Sequence, residues 1–228
     1  MRKKKTVGSV MSVDRGFKSS VQFPDVRTTQ TYEGLIAVGG RADVGTLFHA
    51  YSRGIFPWPQ DGYPMLWFFP EERGILFFKD LRINKTLRRS LKKVSENSWC
   101  ITFNNAFPKV ISECQNQPRP GQEGTWITDE LKKAYEQFFI AGFVVSCEVW
   151  EGEELIGGVY AVKVGNFVSA ESMFFKKSNA SKVALIYLIE KLKTEGLHWI
   201  DIQMVTPVTE ALGGQYISKK KFIELFEA

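Results

Sequence analysis

The chain has 228 residues, of which 44% are hydrophobic, so it can bury a sizeable core as one domain or as two small lobes. This composition excludes disorder as the dominant state. The formal net charge of +5 at pH 7 favours a polyanionic partner, but lysine and arginine are spread along the chain. An ordinary solubilising surface therefore explains the charge equally well.

The first part of the chain is predicted to form an arm and a small lobe. Residues 1–22 are polar and aperiodic, which predicts a flexible N-terminal arm. Asp43 is a suitable N-cap for a helix that ends near Gly54. Two aromatic runs and a strand that begins at Ile75 follow, so we assign residues 23–83 to a small N-terminal lobe.

A basic helix is predicted to begin the second region, which covers residues 84–228. Asn84 is a suitable N-cap, and Leu87, Leu91 and Val94 would share one face of the helix. Its other positions carry the cations Lys85, Arg88, Arg89, Lys92 and Lys93. These side chains fit a phosphate-binding surface and a solvated helix face equally well.

Two more helices and a β-meander are predicted next. We expect Asn104 or Asn105 to cap the first helix and Thr128 to cap the second. Apolar runs separated by turn residues then predict three antiparallel strands, at 143–150, 155–164 and 167–174.

The end of the chain completes a mixed domain. Ser178 or Asn179 is expected to cap a long helix, and residues 199–204 are expected to return as a strand. A meander, a crossover helix and a returning strand resemble the acetyltransferase-like (GNAT) fold. The predicted fold class is therefore α/β (α+β), with a GNAT-like acyltransferase domain and a small N-terminal lobe. The glycine-rich acyl-CoA signature of many GNAT proteins is absent, which argues against acyl-CoA as donor.

Cysteine use and hydropathy indicate the compartment. Cys100, Cys114 and Cys147 are odd in number, form no CxxC pair and have apolar neighbours, so we expect buried free thiols in a reducing cytoplasm. No apolar stretch approaches the roughly 18 to 20 residues of a membrane helix, and the N-terminus is too polar for a signal peptide. We expect a soluble, cytoplasmic protein.

Five short runs need an explanation together: Gly54–Trp58, Glu123–Thr128, Glu171–Phe174, Asn179–Lys182 and Asp201–Gln203. In this order they resemble the leucyl/phenylalanyl-tRNA-protein transferase family, over most of the chain. The resemblance implies transfer of Leu or Phe from aminoacyl-tRNA to the N-terminus of a protein that begins with Lys or Arg, and the apolar pocket described below would also admit Met. It implies no metal and no cofactor, and a product marked for N-end-rule proteolysis.

Asp201 and Gln203 are the catalytic candidates. They lie two apart on a predicted strand, so their side chains face the same side, while Ile200, Ile202 and Met204 would supply the buried face. That side is either solvent or a cleft, and the resemblance implies a cleft. It also implies that the Gln203 carbonyl holds the attacking amine and that Asp201 draws off its proton. Aminoacyl transfer needs positioning, a proton acceptor and oxyanion support, but no nucleophilic Ser or Cys.

Substrate-binding residues are implied in the third strand of the meander and in two loops. Glu171 would contact an amino group and, together with Asp201, would favour a cationic acceptor. Trp58 and Trp126 are either core aromatics or a stacking surface for the terminal adenosine of tRNA. The remaining candidates are Ser172, Met173, Val168 and Leu188. The last three would line an apolar pocket that rejects a charged donor side chain.

The tRNA backbone is expected to contact cations on the basic helix and on the long helix. The candidates are Arg88, Arg89, Lys92, Lys93 and Lys182. Thr206 and Val208 stand where the family usually has Asn and His, so acceptors with acidic N-termini stay open. An acyl-CoA-dependent N-acyltransferase and a noncatalytic binding module are also compatible with the fold. We expect a monomer.

Overall fold

The computed structural model of the protein describes residues 16–118 and 125–228. A small antiparallel sheet near the start of the chain contains β1 (Leu35–Val38), β2 (Phe56–Pro57) and β3 (Leu66–Phe68), with β3 in the middle. Helix α1 (Val44–Tyr51) lies between β1 and β2 in the chain. Asp43 caps this helix by accepting a hydrogen bond from the backbone N–H of Thr46 (2.8 Å), which confirms the predicted cap.

A second sheet forms the centre of the molecule. Its strands are β4 (Glu72–Phe77), β5 (Cys100–Phe103), β6 (Val144–Glu151), β7 (Glu154–Val164), β8 (Phe167–Phe175), β9 (Trp199–Gln203) and β10 (Gln215–Ser218). Their order across this large sheet is β10-β4-β9-β8-β7-β6-β5. Neighbouring strands are antiparallel except β8 and β9, which are parallel and place Ser169 beside Asp201.

Helices cover the large sheet. They are α2 (Lys85–Ser95), α3 (Phe107–Asn116), α4 (Asp129–Ile140), α5 (Ala180–Thr194), α6 (Pro207–Ala211) and α7 (Lys219–Phe226). Asn84 and Thr128 cap α2 and α4 by accepting from the backbone N–H groups of Leu87 (2.9 Å) and Leu131 (3.2 Å). Both predicted caps are thereby confirmed.

The starts of α3 and α5 differ from the predicted ones. Helix α3 has no side-chain cap, because Asn104 accepts a hydrogen bond from the backbone N–H of Ser146 (2.8 Å) and so ties this turn to β6. Asn179 stands at the N-cap position of α5 in the left-handed conformation (φ 67°). Its side-chain amide donates to Ser90 of α2 (3.2 Å) instead of capping the helix.

The predicted meander, crossover helix and returning strand are present. Strands β6, β7 and β8 pair consecutively, α5 follows, and β9 returns parallel to β8. This is the order of elements expected of a GNAT-like mixed α/β domain, and the predicted fold class is confirmed. The sheet also extends beyond the predicted strands, with β4 and β10 outside β9 and with β5 outside β6.

Two segments lie differently from the predicted division of the chain. Strand β4, which we assigned to the small lobe, is hydrogen-bonded between β9 and β10 in the large sheet. Residues 16–22 of the predicted arm pack on the core, where the ring centres of Phe17 and Phe48 lie 5.5 Å apart. Residues 1–15 of that arm lie outside the described part of the chain.

Cysteine burial also differs in part from the prediction. Cys114 and Cys147 are buried, as predicted, but Cys100 is exposed because it begins the edge strand β5. Among the described residues, none of the helices combines the length and the apolar character needed to cross a membrane.

The large sheet buries side chains on both faces. On one face, called here the α5 face, strand residues such as Val168 and Ile200 pack with Leu188 of α5 and Leu87 of α2. On the other, called here the α4 face, strand residues pack with an aromatic layer from α1, α3, α4 and α7. That layer includes Tyr51, Phe107, Tyr135, Phe138 and Phe222.

Candidate active site

Polar side chains converge on the α4 face, where β4, β9 and β8 lie side by side. The group consists of Arg73 from β4, Ser169 and Glu171 from β8, and Asp201 and Gln203 from β9. We call it the carboxylate cluster. It brings together three candidates from the sequence analysis, Glu171, Asp201 and Gln203.

Asp201 is completely buried, and both of its carboxylate oxygens accept hydrogen bonds. Arg73 donates twice, from Nε to Oδ1 (2.9 Å) and from Nη2 to Oδ2 (2.6 Å). The backbone N–H of Gln203 also donates to Oδ1 (2.9 Å), and the Ser169 hydroxyl donates to Oδ2 (3.0 Å). Four donors therefore hold the carboxylate in one orientation, and the guanidinium balances its charge.

Arg73 is the member of the cluster that the sequence analysis missed. Its side chain is 2% exposed, and its guanidinium carbon lies 4.5 Å from the ring centre of Phe56 and 4.9 Å from that of Phe222. In the sequence it lies just before the strand predicted at Ile75, where an arginine is usually solvent-exposed. A buried aspartate does require a cation, but this requirement does not say which cation supplies it.

Gln203 ends β9 with an unusual backbone conformation. Its φ of 59° lies in the left-handed region, which is uncommon for a residue with a side chain and is found at functional sites. Its Nε2 donates to Glu171 Oε2 (3.0 Å) and to Ser169 Oγ (3.3 Å). The side-chain carbonyl oxygen is therefore the atom that can accept a hydrogen bond from a ligand.

The turn at Gln203 also leaves the Met204 side chain exposed. We expected Met204 to continue the strand and to supply its buried face with Ile200 and Ile202. Ile200 and Ile202 are buried, but Met204 is 40% exposed because the strand ends one residue earlier. That part of the prediction is wrong.

Glu171 lies on the α4 face, two positions after Ser169 in β8, where it faces strand β9 and helix α4. A β-bulge occurs at this residue. Tyr160 of β7 pairs with Ser172, and Ala161 pairs with Ala170, so Glu171 is the extra residue in β8. The bulge reverses the alternation of the strand after Glu171.

Glu171 has one bonded and one unbonded carboxylate oxygen. Oε2 accepts from Gln203 Nε2 and from the Tyr135 hydroxyl (3.2 Å), which in turn lies 2.6 Å from the Tyr51 hydroxyl. Oε1 is buried and has no hydrogen-bond partner among the described residues. Burial raises the pKa of Glu171 from 4.5 to about 7, although the surrounding hydrogen bonds oppose the rise. Burial also raises the pKa values of Tyr51 and Tyr135.

The two candidate tryptophans are partly buried against the aromatic layer of the α4 face. Trp58 contacts Phe68 edge to face, with ring centres 5.8 Å apart. Trp126 precedes α4 in the motif Glu123–Thr128, of which Glu123 and Gly124 lie outside the described residues. Both residues are partly exposed, so packing and stacking are compatible at these positions.

The apolar candidates lie on the opposite side of β8 from the carboxylate cluster. Val168 is 1% exposed and Leu188 is fully buried, and both belong to the α5 face. Met173 packs against the same layer and is only partly buried. Ser172, which pairs with Tyr160, is also partly exposed. Val168, Leu188 and Met173 thus belong to one apolar layer, which the thickness of the sheet separates from Asp201.

The basic candidates lie on the surface of α2 and at the start of α5. Arg88, Arg89, Lys92 and Lys93 are exposed, and no ion pair with an acidic side chain engages them within residues 16–118 and 125–228. Lys93 lies over the ring of Trp99 at 4.6 Å. Because α2 packs against α5, Lys182 in the first turn of α5 belongs to the same side of the molecule.

In the described part of the chain, no group of three or more His, Cys, Asp or Glu side chains is arranged to hold a metal ion. The order of elements is that of a GNAT-like acyltransferase domain. Family models for leucyl/phenylalanyl-tRNA protein transferase match residues 75–227 and, for its N-terminal domain, residues 40–71. The chain belongs to this family. It is an enzyme that transfers an amino acid from leucyl- or phenylalanyl-tRNA to protein N-termini, which confirms the sequence-based prediction.

Curated relatives match over most of their length. A leucyl/phenylalanyl-tRNA-protein transferase of Shewanella sp. (strain W3-18-1) is 43% identical over 192 residues, which cover 84% of this chain and 80% of the relative. The enzyme of Flavobacterium johnsoniae is 41% identical over 206 residues, which cover 90% and 95%. Among solved structures, FemX matches with a TM-score of 0.47 and 7% identity, covering 81% of this chain and 71% of FemX.

Proposed function

We propose that the protein transfers Leu, Phe or Met from aminoacyl-tRNA to proteins that begin with Lys or Arg, and thereby marks them for N-end-rule proteolysis. In this proposal it acts as a cytoplasmic monomer without metal or cofactor. The observation that carries the choice of acceptor is the carboxylate of Glu171. Because Arg73 balances Asp201, Glu171 is the acidic side chain of the cluster without a cation, and it favours a cationic acceptor.

This assignment refines the sequence-based expectation. From the sequence, both Asp201 and Glu171 are expected to attract the acceptor, and Asp201 is also expected to take its proton. The four hydrogen bonds to Asp201 favour an orienting role for that carboxylate. Within the described part of the chain Glu171 Oε1 has no donor, and a carboxyl group with a pKa of about 7 suits a proton acceptor at neutral pH.

In the proposed reaction, the neutral α-amine of the acceptor attacks the ester carbonyl carbon of the aminoacyl-tRNA. The Gln203 carbonyl orients this amine, and Glu171 takes the proton that the amine loses. A carbon–nitrogen bond forms, and the carbon–oxygen bond to the terminal ribose breaks. The proton then passes to the ribose oxygen, so the products are the extended protein and the uncharged tRNA.

The tRNA part of the donor is bound by contacts away from the cluster. We place the donor side chain beside the reacting ester on the α4 face, and not with Val168 and Leu188, which are buried on the α5 face. The exposed cations of α2 and Lys182 contact the tRNA backbone without reading sequence. Trp58 and Trp126 offer stacking surfaces for the terminal adenosine.

A single assay tests the proposal. The protein is mixed with tRNA charged separately with Leu, Phe, Met or Arg and with peptides that differ in their first residue. We expect labelled Leu, Phe and Met on peptides that begin with Lys or Arg, with small differences among the apolar donors, since a methylene is worth about 1 to 3 kcal/mol. Preferred transfer of Arg, or preferred labelling of a peptide that begins with Asp, would contradict it. Transfer from acyl-CoA in place of charged tRNA would identify an N-acyltransferase.

A further inference from the structure

The guanidinium of Arg73 is held by hydrogen bonds and by aromatic rings. One edge makes the two hydrogen bonds to Asp201, and its central carbon lies 4.5 Å and 4.9 Å from the ring centres of Phe56 and Phe222. Its Nη1 is buried without a hydrogen-bond partner among the described residues. Phe56 belongs to β2 in the small sheet, and Phe222 belongs to α7 near the end of the chain. Three segments that are distant in the sequence therefore fix one side chain beneath the carboxylate cluster.

The two rings are themselves packed firmly. Phe222 contacts Phe69 (ring centres 5.6 Å apart) and Trp199 (6.1 Å) edge to face. Gly54, with a φ of 71°, lies against the same ring, and a Cβ atom at this position would stand 2.9 Å from it. The close approach requires glycine here. The position of the Arg73 side chain is thus set by the packing of the small sheet on α7.

The hydrogen bonds connect Arg73 to Gln203 through Asp201. Arg73 Nε and the backbone N–H of Gln203 donate to the same oxygen, Asp201 Oδ1. Arg73 Nη2 and the Ser169 hydroxyl share Oδ2, and Ser169 Oγ also accepts from Gln203 Nε2. Gln203 has a left-handed backbone that needs such support. A shift of the Asp201 carboxylate would therefore move both the backbone and the side-chain amide of Gln203.

We propose that Arg73 is a positioning residue for aminoacyl transfer, which it supports by fixing Asp201 and, through Asp201, the side-chain carbonyl of Gln203. The inference rests on the proposed function, because it assigns Gln203 to the attacking amine. Fixing both carboxylate oxygens of Asp201 requires two N–H donors in one plane, as in a guanidinium. Lysine keeps the charge, but it bonds as a single point and cannot fix both carboxylate oxygens.

The test is the substitution Arg73→Lys in the full chain. The measurement is the single-turnover rate of transfer from leucyl-tRNA to a peptide that begins with Lys, at saturating enzyme, together with KM for leucyl-tRNA. We expect the rate to fall roughly 10²-fold, as for a misplaced reacting group, with KM unchanged. In the Asp201→Asn background, Arg73→Lys should cost little more, because its route to Gln203 is already interrupted.

The chain contains a matched control pair on its surface. Arg27 donates to Asp25 in the same two-point manner (2.9 and 3.1 Å), but the side chains are 60% and 44% exposed. Arg27→Lys should leave the rate unchanged. A normal single-turnover rate in folded Arg73→Lys, or an undiminished effect of that substitution in the Asp201→Asn background, would overturn the inference.

Two further measurements keep the outcome decisive. If Arg73→Lys does not fold, Phe222→Leu removes one ring from the guanidinium and leaves both charges in place. A lower rate at normal KM supports the inference, and a normal rate overturns it. Wild-type protein is assayed first. If it transfers no amino acid to a peptide with N-terminal Lys, the proposed function fails, whereas an active wild type with an unaffected variant refutes the role of Arg73 alone.

Discussion

The two faces of the large sheet are built in different ways. On the α5 face, β7, β8, β9 and α5 bury apolar side chains such as Val159, Val168 and Leu188. On the α4 face, β8 and β9 bury Glu171 and Asp201 among aromatic rings, and β4 adds Arg73. The same strands therefore supply apolar packing on one side and a charged cluster on the other.

The α5 face therefore contributes mainly to stability, whereas the α4 face holds the groups proposed for the reaction. Burial of apolar area stabilises the fold, whereas burial of a charge costs free energy unless a partner compensates it. Asp201 has such a partner in Arg73, but none of the residues that the structure describes bonds Glu171 Oε1. The α4 face thus carries a buried carboxylate that lowers the stability of the fold. Apolar burial on the α5 face offsets this cost. Substitutions on the two faces should differ in what they change.

The largest effect is expected when Asp201 is removed. Asp201→Ala leaves the Arg73 guanidinium buried without its partner, so unfolding free energy should fall by about 3 to 5 kcal/mol. The transfer rate should fall by about 10²-fold or more, at nearly unchanged tRNA affinity, because Gln203 loses its support. Denaturant titration and single-turnover kinetics measure the two effects.

The exposed pair provides the control for this prediction. Asp25→Ala removes the partner of Arg27 on the surface and should change stability by less than about 0.5 kcal/mol. Comparable losses in the two variants would show that burial of the Arg73–Asp201 pair is unimportant. Near-normal turnover of Asp201→Ala would remove Asp201 from the mechanism.

The second prediction concerns the apolar face. Leu188→Ala creates a cavity beneath α5 and should lower unfolding free energy by about 2 to 5 kcal/mol in a denaturant titration. If Leu188 also lines the donor pocket, the ratio of Leu to Phe transfer will change as well. Ile140→Ala is the control, because Ile140 is 75% exposed on α4. An altered stability with an unchanged donor ratio would assign Leu188 to packing alone.

The third prediction uses the pKa of Glu171. Burial raises this pKa from 4.5 to about 7, so between these pH values the folded chain holds a proton that the unfolded chain has released. Stability therefore falls as the pH rises through this window. The full cost, roughly 3 kcal/mol at 1.36 kcal/mol per pKa unit, is present above pH 7.

Glu171→Gln keeps the shape of the side chain and cannot ionise. This variant should be more stable than the wild type above pH 7, and its advantage should disappear near pH 4. Denaturant titrations at several pH values measure the difference. Glu153→Gln removes an exposed carboxylate and reports the effect of the charge change itself. An advantage that is independent of pH would contradict the assigned titration of Glu171.

The contrast between the faces also explains what the sequence could predict. Periodic apolar residues and local caps identified α1, α2, α4, α5 and the three strands of the meander, because these signals lie within about twenty residues. The pairing of β4 with β9 and β10 joins segments more than 120 residues apart, and the four-residue strands β5 and β10 have little alternation of their own. Such contacts leave no local pattern.

The same limit applies to the carboxylate cluster. Asp201 and Gln203 were found because their spacing places them on one side of a strand. Arg73 reaches them from a segment that the sequence assigned to the small lobe. The bulge at Glu171 likewise depends on the register between β7 and β8. The family resemblance supplied Glu171, since residue types and spacing alone left it as either a solvent-facing or a cleft carboxylate.

The smallest effect is expected outside both faces, on helix α2. Arg89→Glu together with Lys92→Glu should weaken tRNA binding and flatten its dependence on salt by about one unit of slope per lost phosphate contact. Folding should be unaffected, because both side chains are exposed. Reversal of Lys132 and Lys133 on α4 changes the net charge equally, but on the other side of the sheet. If both double variants reduce the slope equally, the tRNA responds to total charge, and α2 is a solvated helix face. If only the α2 variant does so, the exposed cations of this helix contact the tRNA backbone.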